Sequence, residues 1–177
     1  MIKVLQEAIT EFSRVTSRHV VIAGGAVRDA LIGREPKDLD LFVLGTSADV
    51  LKRVGLSEFE PVNSLLEWHR SEPGLVATVR FGGREVQVIA TVHTSIATLL
   101  DSFDWSVSLF GFDGEVVRHE KAELPTYGSY LRLNRCTFPL STLRRGYRFS
   151  ERYGMRLDPS VVRDICSQAL TSAEVKA

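Results

Sequence analysis

The chain has 177 residues, of which 44% are hydrophobic, and its 22 basic side chains balance 22 acidic ones; this suits one domain, or a domain with a small appendage, with a real core. No apolar run approaches the roughly 20 residues that span a bilayer, and the opening MIKVLQEAITEF carries acids where a signal peptide is apolar, so no membrane association and a cytoplasmic location are expected. Cys136 and Cys166 make neither a metal-type cluster nor a disulfide framework and are expected as free thiols.

Ile2, Leu5, Ala8, Ile9 and Phe12 recur at helical spacing, which predicts an amphipathic helix over 3–15 that packs on a sheet. His19 precedes the first strand and is given no role. The stretch VVIAGGAVRDALIGREPKDLDLFVL, 20–44, holds the chemistry. Val20, Val21 and Ile22 form a β-branched run, Gly24 and Gly25 break it, and 26–32 has helical composition closed by Gly33. A glycine turn at a helix N-terminus offers unpaired backbone N–H groups with no Cβ in the way of a phosphate; plain close packing is the alternative. Arg28 and Asp29 follow in the first helical turn, where the arginine either forks onto phosphate or pairs with the acid. Arg34 and Lys37 lie in the next loop, where their charge either attracts polyphosphate or is simply solvated.

Asp38-Leu39-Asp40 then leads into the apolar run 41–44. Alternate residues of a strand share a face, so Asp38 and Asp40 point one way while Leu39 and Leu41 point the other. Paired carboxylates on one face suit a hard divalent cation, above all magnesium carrying phosphate.

Further along, Ser47 caps a short helix over 48–54 that ends at Gly55, and 63–70 has helical character, with Trp68 either core or a stacking platform. The β-rich runs 75–81 and 85–90 flank Gly82-Gly83 as a hairpin, and 115–119 forms a last short strand. Residues 121–137 carry no clear pattern. Pro139 opens a helix to Tyr153 with Gly154 as its stop, and Asp158-Pro159 starts a final helix to about Leu170. From Arg118 to Arg163 there are ten basic residues against four acids, a footprint for phosphate contact that a solvated helix face also produces.

GG-x-VRD followed by G-R-x-x-K-D-x-D resembles the nucleotidyltransferase head of class II CCA-adding enzymes and bacterial poly(A) polymerases, in the DNA polymerase β superfamily. The segment 95–113, SIATLLDSFDWSVSLFGFD, is similar to the family segment ending in R-R-D-F-T-x-N-A: Asp104, Trp105 and Ser106 stand on Asp-Phe-Thr, Ser102 and Phe103 on the two arginines, and Ser108 on the asparagine. The run LRRGYRFSERYGMRLDPSVVRDI resembles the family's neck, with Arg145, Arg148 and Phe149 matching. The base-selecting Glu-Asp-x-x-Arg is replaced by Phe138-Pro139-Leu140-Ser141-Thr142, which argues against classical CCA specificity. Where relatives carry a third acid, Gln87 stands, with Glu85 two residues earlier on the same strand face.

The resemblance implies an α/β (α+β) polymerase β-like nucleotidyltransferase fold: a head over 1–136 with a small mixed sheet, and a helical neck-like extension over 137–177. It implies transfer of a nucleoside monophosphate from an NTP, ATP or CTP, to an acceptor hydroxyl. Asp38 and Asp40 are the catalytic and metal-binding pair for two Mg2+ ions, and Gly24, Gly25, Arg28, Asp104, Arg145 and Arg148 the nucleotide contacts. Asp104 either accepts from a ribose hydroxyl or caps the helix it opens. An RNA 3′ end, held by the basic C-terminal third, is the favoured acceptor, with a protein partner supplying the RNA-binding body and tail at which the resemblance stops. Nucleotidyl transfer to a protein or small molecule, and a nucleotide-binding module without catalysis, are the other readings.

Overall fold

Seven strands make one sheet in the computed structural model of the chain, which describes residues 2–51, 56, 59–61 and 74–171. They are β1 (Val20–Ala23), β2 (Asp38–Val43), β3 (Glu60–Pro61), β4 (Leu75–Phe81), β5 (Arg84–Ala90), β6 (Phe110–Phe112) and β7 (Val116–Arg118), in spatial order β3-β4-β5-β2-β1-β6-β7. The β2–β5 pair is parallel and the other neighbours are antiparallel, so the sheet is mixed. The helices are α1 (Ile2–Thr16), α2 (Gly25–Leu31), α3 (Ala48–Leu51), α4 (Ile96–Asp101), α5 (Pro139–Tyr153) and α6 (Pro159–Thr171). The helix over 63–70, Trp68 and the end of the 48–54 helix lie outside the described residues.

Alternation along the strands sorts the two faces. Leu39, Leu41 and Val43 are fully buried together with Val86 and Val88 of β5. They pack under Leu5, Ala8, Ile9 and Phe12 of α1, Ala26 and Val27 of α2, and Leu51 of α3. On the opposite face Phe42 joins Val21 and Ala23 beneath Leu99 and Leu100 of α4 and Phe103. The hydroxyl of Ser95 caps α4 by accepting from the Thr98 amide at 3.2 Å. Gly82 and Gly83, both at positive φ (55° and 78°), close the β4–β5 hairpin.

No helix opens at Asp104. A three-residue 3-10 turn, Ser106–Ser108, follows it and leads into β6, a strand absent from the sequence expectation. The run is only Phe-Gly-Phe, and its glycine is there because α4 lies on it: a Cβ at Gly111 would stand 2.5 Å from Ile96 Cδ1.

A third cluster, Trp105, Val107, Leu131, Tyr153, Met155 and Ile165, joins α5 and α6 to the segment after α4. Trp105 is fully buried, and its indole Nε1 donates to the Thr142 carbonyl at 2.9 Å. Gly146 lies against the same ring, where a Cβ would meet Trp105 Cζ2 at 2.7 Å and Leu157 Cδ2 at 3.2 Å. Gly154 ends α5 in the left-handed region at φ 63°, and Asp158 accepts from both the amide and hydroxyl of Ser160 as α6 begins. Neither Cys136 nor Cys166 is in a disulfide, and among the described residues no helix is long and apolar enough to cross a membrane.

The contact at Gly146 predicts that Gly146→Ala overpacks the Trp105 seam and costs about 1–3 kcal/mol, read as a lower melting temperature. Leu170→Ala, at a side chain 73% exposed, should change stability by no more than about 0.5 kcal/mol.

Candidate active site

The parallel register of β2 on β5 sets Asp38 opposite Glu85, Asp40 opposite Gln87 and Phe42 opposite Ile89. All six belong to the sheet face away from α1, so a row of polar groups runs straight into an apolar floor two residues further along both strands. Asp38, Asp40 and Gln87 are half-buried and Glu85 is exposed. The antiparallel β1 ladder, Val20 on Val43 through Ile22 on Leu41, runs back towards the carboxylates, so the turn leaving β1 lies beside them.

That turn is Gly24-Gly25. Gly24 precedes α2 at φ 82° and ψ −131°, a conformation that needs glycine, and its amide donates to the Phe110 carbonyl at 2.7 Å. A Cβ on Gly24 would touch Phe103 at 3.5 Å. Because α2 has only seven residues, close approach of backbone matters more here than a helix dipole.

Of the two roles open to Arg28, the structure realises the pairing with Asp29. Arg28 is 2% exposed, its Nε donates to Asp29 Oδ1 at 2.9 Å, and its guanidinium lies 5.2 Å and 4.8 Å from the ring centres of Phe149 and Tyr153. Its Nη2 lies 3.2 Å from where a Cβ would sit on Gly25, so it props the glycine turn from behind. Asp29 also accepts from the Tyr153 hydroxyl at 2.7 Å and from Arg152 Nη2 at 2.8 Å. Burial and the hydrogen bond to Asp29 push the Tyr153 hydroxyl up to about 12. The sequence offered no signal for this hub beyond the Arg-Asp dipeptide, since Tyr153 lies 124 residues from Asp29.

Asp104 caps no helix, and its carboxylate is paired. It is 7% exposed, and its Oδ2 accepts from Arg145 Nε and Nη2, both at 2.6 Å. Arg148 is exposed on α5, one helical turn beyond Arg145 and one before Arg152. Between α5, α4 and the sheet lies a cavity of about 360 Å³, floored by Phe42 and Ile89, walled by Phe103, and bounded on the α5 side by Asp104, Thr142 and Arg145. Of these, Asp104 and Arg145 were expected at a nucleotide; Phe42, Ile89, Phe103 and Thr142 were not, because apolar side chains carry no motif.

A family model, Gabija anti-defense 2 family protein, matches residues 2–124. The chain belongs to the Gabija anti-defense 2 family. The match spans every strand of the sheet, α1 to α4 and both strand carboxylates, and α5 and α6 lie beyond it. Solved structures give a second comparison. The chain is similar to a CCA-adding enzyme with ATP (18% identity, TM-score 0.63, 99% of this chain and 45% of that one). It is similar to a Thermotoga maritima CCA-adding enzyme complexed with tRNA (18%, 0.62, 89% and 39%). A third is a tRNA nucleotidyltransferase complexed with a primer tRNA and an incoming ATP analog (18%, 0.60, 92% and 50%). This chain thus spans half or less of each, and among curated proteins none matches. The likeness shows that this member of the Gabija anti-defense 2 family has the nucleotidyltransferase fold.

Nucleotidyltransferases of this fold use divalent metals, and the donor set on β2 fits one kind of cation. Asp38 and Asp40 are hard oxygen ligands on one face, with the Gln87 amide in register beside Asp40. Among the described residues no three His, Cys, Asp or Glu side chains are grouped to hold a metal. Magnesium needs no such group, because it is bound through one or two carboxylates and completes its shell with phosphate and water.

Two measurements check the hub. Asp29→Ala strips the counter-charge from buried Arg28 and should cost about 3–5 kcal/mol of stability. Tyr153 is neutral when protonated and its folded value lies above the ordinary 10, so its contribution is complete below pH 10 and disappears as pH rises through about 12. A late tyrosinate absorbance step near pH 12 should therefore be present in the wild type and missing in Tyr153→Phe.

Proposed function

We propose that this chain is a metal-dependent nucleotidyltransferase that moves a nucleoside monophosphate from an NTP to an acceptor hydroxyl. The bond from acceptor oxygen to the α-phosphorus forms, the bond from that phosphorus to the bridging oxygen breaks, the hydroxyl proton goes to solvent and pyrophosphate leaves. The observation that carries this reading is the β2 face: Asp38 and Asp40 on one side of the strand, in register with Glu85 and Gln87 and beside a glycine turn. Magnesium held there would neutralise triphosphate charge and make the acceptor hydroxyl easier to deprotonate.

The chain's own residues do the rest. Asp38 and Asp40 hold the cations. Gly24 and Gly25 let phosphate oxygens come up to the backbone, with Arg28 supporting the turn rather than donating from it. Arg148, exposed on α5 between the two arginines paired with Asp104 and Asp29, donates to phosphate in this reading. Since two carboxylates and an amide are a thin ligand set, divalent metal and NTP should bind together: Mn2+ titrated with an NTP present should bind at least about tenfold tighter than alone.

The family description, Gabija anti-defense, favours an acceptor hydroxyl on a protein or small molecule of that defence system. The absence of the base-selecting Glu-Asp-x-x-Arg also turns the reading away from CCA addition. A second reading, an RNA 3′ end, is favoured by the structural neighbours solved with tRNA and by the arginines of α5.

The test is incubation with each α-labelled NTP, magnesium, and RNA and protein fractions from cells with and without the Gabija system, against the Asp38→Ala/Asp40→Ala double variant. Label in protein that depends on Gabija and disappears in the variant is the expected result, and label in RNA would select the second reading. No label in any fraction would overturn the transferase assignment.

A further inference from the structure

We propose that the last turn of α5 positions the glycine turn at which phosphate binds: Tyr153 and Arg152 orient Asp29, Asp29 orients Arg28, and Arg28 backs Gly25. Triphosphate binding at the turn and docking of α5 on the sheet are then coupled. The inference rests on the nucleotidyltransferase reading for its phosphate and adds the positioning residues behind the turn.

Arg28 is the middle link. Its guanidinium is buried, and the hydrogen bond from Nε to Asp29 Oδ1 at 2.9 Å sets its direction, while Nη1 has no partner among the described residues. The rest of its surroundings come from α5: the ring centres of Phe149 and Tyr153 lie 5.2 Å and 4.8 Å from its central carbon. Nη2 lies 3.2 Å from where Gly25 would carry a Cβ, so the guanidinium fills the side-chain space of the turn itself.

Asp29 is held in its turn. Oδ1 also accepts from the Tyr153 hydroxyl at 2.7 Å, and Oδ2 accepts from Arg152 Nη2 at 2.8 Å. Both donors sit in the last turn of α5, which Gly154 closes in the left-handed region. Helix α2 has seven residues, too few to keep its shape without tertiary support, so the direction of its first turn depends on these contacts. Lifting the end of α5 removes the Tyr153 and Arg152 bonds and both rings, and frees Arg28 to leave Gly25. Such coupling is reciprocal: a triphosphate that needs the backed turn holds α5 down by the same factor by which docked α5 improves its binding.

The probe is inorganic triphosphate with magnesium, which has no base or sugar, added to the full chain and followed by NMR at the Gly24 and Gly25 amides. Tyr153→Phe keeps the ring over Arg28 and removes the bond to Asp29; it and Arg152→Gln should each bind triphosphate about fivefold more weakly. Val79→Ala, in the buried face of β4 and away from the hub, should lower the melting temperature and bind triphosphate as the wild type does. Hydrogen exchange gives a readout that a merely structural role would not move. Triphosphate should slow the amides of 151–153 in the wild type by more than it slows those of β4, and this extra slowing should shrink in Tyr153→Phe. Binding unchanged in both hub variants, equal weakening by Val79→Ala, or no extra slowing at 151–153 would overturn the proposal and leave the transferase reading standing. No triphosphate bound by the wild type would overturn the proposal together with the phosphate role of the glycine turn.

Discussion

The carboxylate of Asp29 accepts hydrogen bonds from its neighbour Arg28 and from Arg152 and Tyr153, more than 120 residues away, in a space where it is 3% exposed. Burying a guanidinium as fully as Arg28 is costly unless an opposite charge and polarisable surface surround it. Asp29 supplies the charge, and the Phe149 and Tyr153 rings supply the surface. Helix α5 therefore cannot leave the sheet without giving up the Arg152 and Tyr153 bonds to Asp29 and the two rings that cover Arg28. A second pin, Arg145 on Asp104, acts two turns earlier on the same helix. The cavity between α5 and the sheet owes its far wall to these two carboxylates.

The near wall comes from β2 and β5, whose alternation serves two ends at once. Odd-numbered β2 residues Leu39, Leu41 and Val43 bury themselves under α1 to α3, and this burial specifies the register. Given that register, Asp38, Asp40 and Phe42 have no alternative to the opposite face, beside Glu85, Gln87 and Ile89. A slip of one residue would drive both carboxylates into the core, so the core's apolar surface enforces the geometry of the site.

Charge has been redistributed relative to the family that the sequence resembles. Ser102 and Phe103 stand where that pattern has two arginines, and the Phe103 ring lies against Gly24 and Phe42 instead of offering a cation. The α5 arginines that match the family's neck are kept, with Arg145 paired to Asp104 and Arg148 exposed, and Arg152 of the same helix is paired to Asp29.

Local patterns foretold much of this. Helical spacing located α1, proline and glycine punctuation located α5 and α6, and Gly-Gly located the β4–β5 hairpin, because caps and periodicity are properties of a few neighbouring residues. Strand β6 escaped, since three residues with a central glycine show no period and pair only because β1 and β7 flank them. By itself the sequence determined that Asp38 and Asp40 share a face and follow a glycine turn, for alternation belongs to any strand backbone. Only the tertiary structure decided which charges are spent on one another: that Arg28 turns inward to Asp29, that Asp104 holds Arg145, and that Asp29 also takes Arg152 and Tyr153. Those pairings join residues up to 124 positions apart, and they exist because packing the helices on the sheet brings the side chains within reach and removes the water that would otherwise satisfy them.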